Sequence, residues 1–219
     1  MLAQATDYLA VVERLTPGAT VSFPNVEWEE YEELLSEMGN DWPGLRVSYY
    51  HGKLEITMPL PEHEEYSQFI VRLGQVIADE LEIDLEHRGS TTWRRRKKES
   101  GAEADTCFYV QNAARIIGQR TINLDFDPPP DVVVEIDKTN PSTQKFPIYA
   151  ALRVPEIWRH DGRHVIFYEL QGENYEEIIH SRAFPVLPAT VLTQFLEQSK
   201  TIGQTAALRA FRGWLRENL

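Results

Sequence analysis

The sequence predicts a single α/β domain, a mixed central β-sheet flanked by helices, and three observations carry that prediction. Residues Glu62 to Leu81 put Tyr66, Phe69, Ile70, Leu73, Val76, Ile77 and Leu81 on one helical face. Asp131 to Asp137 contains the β-branched run Val132, Val133, Val134 and Ile136, which reads as a buried strand. Short alternating runs broken by glycine and proline fill much of the remainder. A length of 219 residues suits one such domain. Within 1–219 the pattern divides into an N-terminal helical region (1–44), a core (45–186) and a C-terminal helical region (187–219).

In chain order, Asp7 to Leu15 reads as a short helix ended by Thr16-Pro17-Gly18. Trp28, Tyr31, Leu34, Leu35 and Met38 then mark an amphipathic helix whose intervening residues are mostly glutamate. Arg46 to Tyr50 and Lys53 to Met58 flank His51-Gly52, the signal of a two-residue hairpin turn. The long helix from Glu62 opens with acidic residues where the helix dipole favours them. Two or three strands follow between Leu85 and Val110, and the ambiguous stretch Arg115 to Phe126 is read as a loop and a short strand. After the central strand come a helix over Ser142 to Leu152, a hairpin over Glu156 to Leu170 turning at Asp161-Gly162, a strand at Tyr175 to Ser181, and C-terminal helices.

Composition sets limits on function. The net charge of -12 argues against nucleic-acid binding over the whole surface. The charge is uneven, however, because Arg88, Arg94, Arg95, Arg96, Lys97 and Lys98 form a basic strip free of acidic residues. The lone Cys107 has no partner for an internal disulfide and lies in an alternating run, which suggests packing. No apolar run is long enough to span a bilayer and the N-terminus lacks the pattern of a signal peptide, so the expectation is a cytoplasmic protein with no membrane partner.

Carboxylates sit where the chain should be driest. On a strand, Asp131, Val133, Glu135 and Asp137 share one face. A second alternating run puts Glu103, Asp105, Cys107 and Tyr109 on one face. Buried carboxylates require a proton, a metal ion or a cationic side chain such as arginine. If the two strands are neighbours, Asp105 and Glu135 could converge on one divalent cation, for which Mg²⁺ suits a few carboxylate oxygens plus waters.

Asp105, then Glu135 on a second hydrophobic strand, then a nearby lysine resembles the PD-(D/E)xK nuclease superfamily, and within it the bacterial restriction endonuclease family. The resemblance extends over Gly52-Lys53-Leu54-Glu55, Met58-Pro59, His63, Glu103 to Tyr109, Pro130 to Asp137, Lys145 to Tyr149 and Val154 to Trp158. It implies a restriction endonuclease-like fold, a homodimer, and Mg²⁺-dependent hydrolysis of phosphodiester bonds in DNA, with Mn²⁺ able to substitute. Asp105 and Glu135 would hold the metal, the Ile136 carbonyl would be a third ligand, and a lysine would orient or deprotonate water.

One departure stands out. The superfamily lysine falls two residues after the glutamate, and that position is Asp137; Lys138 is out of phase on a regular strand. Lys145 matches the family's lysine on the following helix, one turn before Tyr149, and takes the catalytic role. At the end of that helix Arg153 replaces the glycine of relatives, where a left-handed cap would cost roughly 1 kcal/mol. His63, Glu64, Glu55, Glu103, Asp137 and Tyr149 are auxiliary candidates, although Asp131 and Asp137 read equally well as turn or cap residues, and Glu64 as a dipole partner. The strip Trp93-Arg94-Arg95-Arg96-Lys97-Lys98 could track a phosphate backbone with Trp93 stacking, or could protect a sheet edge. His160 and His164 flank a turn and are expected at the surface. The alternative class is a catalytically inactive nucleic-acid-binding or protein-interaction module on the same fold.

Overall fold

The computed structural model describes residues 5–39, 44–137 and 141–219. Lys138, the out-of-phase lysine, lies outside the described residues. The chain begins with α1 (Ala5–Val12), β1 (Thr20–Phe23) and α2 (Trp28–Met38). β1 is an addition to the expected N-terminal region, four residues hidden between two turn signals. Glu27 and Glu30 close a capping box at the start of α2, and the Glu27 amide donates to the Glu30 carboxylate at 2.8 Å. β2 (Arg46–Tyr50) and β3 (Lys53–Thr57) form the expected hairpin. Both turn residues, His51 and Gly52, have positive φ, as a tight turn matched to strand twist requires.

α3 (Pro61–Leu81) starts on a proline and carries Glu62 and Glu64 in its first turn. Its apolar face is buried as the periodicity predicts, each large side chain contributing roughly 1.5–3 kcal/mol. Next come β4 (Glu86–His87), β5 (Thr92–Arg95), a single 3₁₀ turn at Arg96–Lys98, β6 (Ser100–Glu103) and β7 (Thr106–Tyr109). The segment expected to hold a strand after Arg115 instead holds the one-turn helix α4 (Ala113–Ile116) and a long loop. β8 (Val132–Ile136) is followed by a 3₁₀ turn at Ser142–Lys145, α5 (Phe146–Leu152), β9 (Glu156–His160), β10 (Val165–Gln171), β11 (Asn174–Ile178), α6 (Ala189–Ile202) and α7 (Gln204–Asn218). Among the described residues no helix is long and apolar enough to cross a membrane.

The strands divide into two sheets. One is antiparallel, in the order β1-β3-β2-β6-β5; the other is mixed, in the order β11-β10-β9-β8-β7-β4. In the mixed sheet β8 and β9 are parallel, joined by the crossover through α5, and β7 pairs antiparallel with β8 so that Thr106 lies opposite Val134. The run from Glu103 to Val110 is therefore not one strand. The chain leaves the first sheet after Glu103 and enters the second at Thr106, with Ala104 and Asp105 at the crossing. Alternation continues unbroken through this point, so periodicity cannot reveal it.

Every residue of β8 is buried, and its two faces enter different cores. Val132, Val134 and Ile136 pack with α3, Trp158, Phe108 and the C-terminal helices. Val133 packs with Cys107, Tyr109, Ile157, Tyr149 and Leu152. A third cluster, built on Trp28, Tyr31, Leu34, Val47, Tyr49 and Leu54, lies under α1 and α2. Cys107 is fully buried, and burial pushes its thiol up to about 12. Arg153 takes the left-handed conformation expected of it, at φ 65°. His160, by contrast, is 1% exposed, its ring stacked on Tyr66, and so is not at the surface.

Candidate active site

A cavity of about 260 Å³ opens where the two sheets meet. Its walls come from the inner face of β1, β3 and β2, the crossing at Asp105, the end of β8, the 3₁₀ turn before α5, and His63 at the start of α3. Of the residues singled out by sequence, Asp105, Glu135, Ile136, Lys145, His63, Glu55 and Asp137 all line it.

Asp105 is held by short-range geometry. Its Oδ2 accepts the Ile136 N–H at 2.7 Å and lies 3.4 Å from His63 Nδ1, while its own N–H donates to Val134 O at 3.1 Å. Among the described residues Oδ1 accepts no hydrogen bond and lies 3.7 Å from Arg46 Nε. Burial alone would raise the Asp105 carboxyl. The His63 contact, the Lys145 charge and the Ile136 N–H outweigh it, and the pKa falls below the ordinary value.

Glu135 shares the face of Val133, which brings it against α5. Lys145 Nζ donates to both its oxygens at 3.0 Å and to Glu103 O at 3.1 Å, and the Tyr149 hydroxyl donates to Oε1. Burial pushes the Glu135 carboxyl up to about 7, with the Asp105 charge adding and Lys145 opposing. Burial would lower the Lys145 ammonium, but the charges of Glu135 and Asp105 more than offset it, so it is held protonated. Burial and the nearby Glu135 charge keep the Tyr149 phenol a donor. One carboxylate is thus held ionised and the other poised near neutrality, with a cation between the turn and the strand.

The donor set suits a hard divalent cation. Two carboxylates and the Ile136 segment face one cavity, one carboxylate oxygen carries no hydrogen bond among the described residues, and the mutual repulsion of the pair favours a positive charge. Among the described residues no three His, Cys, Asp or Glu side chains gather as a cage. An ion of the Mg²⁺ type needs no such cage, because one or two carboxylates and retained waters suffice.

Several auxiliary candidates are placed differently. Asp137, where a lysine was expected, pairs with Arg159 Nε at 2.7 Å and accepts the Ser142 N–H at 2.9 Å, so it anchors the turn that delivers Lys145. Asp131 accepts the Val110 and Asn112 amides and belongs to the turn after β7. Glu64 is exposed and bonds Gln68 one turn on, away from the cavity. The Glu103 carboxylate turns to Thr92 because the sheet crossing breaks its parity with Asp105; only its carbonyl meets Lys145. Glu55 sits on the wall with Lys53 Nζ at 2.9 Å.

The basic strip needs a larger correction. Trp93 is 1% exposed, opposite Ala102 and edge-on to Tyr109, and cannot stack on a base. Arg94 pairs with Glu32, Arg96 with Glu29 and Glu32, and Arg95 donates to Leu124 O. Arg94 and Arg96 thus offset the acidic face of α2. Lys97 and Lys98 lie exposed in the 3₁₀ turn.

The sequence reading missed Arg46. In Arg46-Val47-Ser48 the polar residues alternate with apolar ones, which ordinarily marks a solvent face. Here that face is the cavity wall, and the Arg46 side chain is only 10% exposed.

Comparison with known proteins bears on the family. No curated protein matches the chain. A solved structure described as a putative nuclease belonging to DUF820, from Anabaena variabilis ATCC 29413, is similar at 19% identity over 68% of this chain and 90% of that one, with a TM-score of 0.48. The model of the Uma2 family, described as "Putative restriction endonuclease", matches residues 28–197, most of the chain and all of the cavity's carboxylates. The chain therefore belongs to the Uma2 family.

Proposed function

We propose that the protein is a divalent-metal-dependent nuclease that hydrolyses phosphodiester bonds in DNA, with Asp105, Glu135 and Lys145 as its catalytic residues. The observation that carries this reading is the convergence of all three on one cavity, with Lys145 Nζ 3.0 Å from both Glu135 oxygens. Membership of a family described as "Putative restriction endonuclease" supports the reaction class, and the pair of carboxylates on the cavity supports a divalent metal.

Asp105 and Glu135, with the Ile136 carbonyl, would hold Mg²⁺ or Mn²⁺, which supplies Lewis acidity at the phosphate and lowers the barrier to attack by water. Tyr149 and Lys145 fix the Glu135 carboxylate, while His63 and the Ile136 N–H fix that of Asp105. Lys145 is a protonated donor with reach into the cavity, suited to orient the attacking water or to stabilise charge on the phosphate. Asp137 has no catalytic part, since its carboxylate is engaged by Arg159 and the Ser142 amide. Outside the cavity, contact with the DNA backbone falls to the exposed Lys97 and Lys98. An inactive binding module rests on the acidic net charge and the absent in-phase lysine; Lys145 bonded to Glu135 from the next element weighs against the second of these.

Cleavage of supercoiled plasmid with Mg²⁺, Mn²⁺ or chelator tests the reading. Asp105→Asn, Glu135→Gln and Lys145→Met are expected to reduce cleavage at least a hundredfold while circular dichroism is unchanged, roughly the loss seen on removing an electrostatic or acid–base contributor. Wild-type cleavage that persists in chelator, or variants as active as the wild type, would overturn it.

A further inference from the structure

Arg46 is a buried cation with too few partners. Its side chain is 10% exposed, and among the described residues its recorded hydrogen bond is a long one, from Nη1 to Leu45 O at 3.4 Å. Among the described residues Nε is buried without a hydrogen-bond partner, and the nearby Asp105 Oδ1, at 3.7 Å, is beyond hydrogen-bond distance. A guanidinium has five donors in a fixed plane, and a buried donor left unpaired is costly. A structure that keeps such a group in a cavity wall has the partner arriving from the cavity. The neighbouring lining residues Ser48, Thr20, Ser22 and Thr57 are polar as well, so the wall is built for a hydrated or charged occupant.

We propose that Arg46 is the substrate-anchoring residue of this cavity, its guanidinium binding the non-bridging oxygens of a phosphate that lies beside Asp105 and Lys145. A planar fork of donors matches two oxygens of a tetrahedral oxyanion, and a carboxylate 3.7 Å away holds the fork in place without occupying it. Neutralising Asp105 does not by itself account for the geometry, because the 3.7 Å from Nε to Asp105 Oδ1 is beyond hydrogen-bond distance and leaves the buried Nε donor without a hydrogen-bond partner among the described residues. Only the identification of the anion as a DNA phosphate rests on the nuclease reading; the anion site itself does not.

Titration calorimetry of inorganic phosphate into the metal-free full chain separates the two. Wild type is expected to bind phosphate, and Asp105→Asn to bind it more tightly because a competing negative charge is gone. Arg46→Gln and Arg46→Lys are expected to weaken binding roughly tenfold to a hundredfold, the range of a charge-assisted hydrogen bond. If thermal melts show that Arg46→Gln does not fold, Arg46→Lys, which keeps the charge and loses the fork, decides the matter. No phosphate binding by wild type or Asp105→Asn, or wild-type affinity in the Arg46 variants, overturns the proposal even if plasmid is cleaved. Phosphate binding that depends on Arg46 in a protein that never cleaves plasmid sustains the anion site and removes the nuclease reading instead.

Discussion

Glu135 and Asp105 share a cavity but hold their protons very differently, and this sets the pH behaviour. Asp105 is ionised throughout the neutral range, whereas Glu135 takes up a proton as pH falls through about 7. Since metal binding requires the carboxylate, kcat/KM at sub-saturating Mg²⁺ should drop about tenfold per unit below about pH 7 and level off above it, measured by initial cleavage rates. A flat profile from pH 5.5 to 8 would contradict this. The sign for stability is opposite. A carboxyl raised from 4.5 to about 7 binds more protons folded than unfolded, so its contribution to the metal-free fold is lost as pH rises through that window. Glu103 and Glu156 are raised by burial too and act in the same direction. At this scale the pattern pointed to Asp105 and Glu135, which line one cavity, because carboxylates in apolar runs demand an explanation, whereas Lys145 was singled out only by the family resemblance. Arg46 was illegible, since a polar residue on an alternating strand looks alike whether it faces solvent or a cavity.

The elements that were readable are those whose burial follows one simple period. α3 shows a single buried stripe, and β8 is an apolar run interrupted only by Glu135, so both emerge from pattern alone. The crossing between β6 and β7 does not, because its meaning lies in which neighbour each half pairs with. β6 carries another tertiary requirement at Gly101. A Cβ at that position would collide with the Tyr31 hydroxyl, and Tyr31 is fully buried, stacked on Tyr49 and edge-on to Trp28. Gly101→Ala should therefore destabilise the protein by about 1–3 kcal/mol through overpacking, seen as a lower urea midpoint at unchanged slope. An unaltered midpoint would mean that the aromatic cluster yields more easily than its burial implies.

Across the whole molecule, the two sheets contribute to the site unequally. The antiparallel sheet brings Arg46, Glu55 and a polar wall; the mixed sheet brings Glu135 and, through its crossover, Lys145 and Tyr149. Asp105 stands at the passage between them. An ion held jointly by Asp105 and Glu135 therefore links both sheets, and binding that only the folded state offers must raise its stability. Mg²⁺ at a hundred times its dissociation constant should stabilise the wild type by about 2.7 kcal/mol, read as a higher Tm, and chelator should reverse the shift. Asp105→Asn should show no such response, and an equal Tm rise in that variant would place the ion elsewhere. The same passage orders the site along the gene. Codons up to that for Asp105 specify Arg46, His63 and the first carboxylate; those after the loop at residues 117–126, where Ile117 and Phe126 are 53% and 83% exposed, specify Glu135, Lys145 and Tyr149. A reading frame divided in that loop would encode two half-sites, neither carrying both carboxylates, and any activity recovered from the pieces would be a direct report of their complementation.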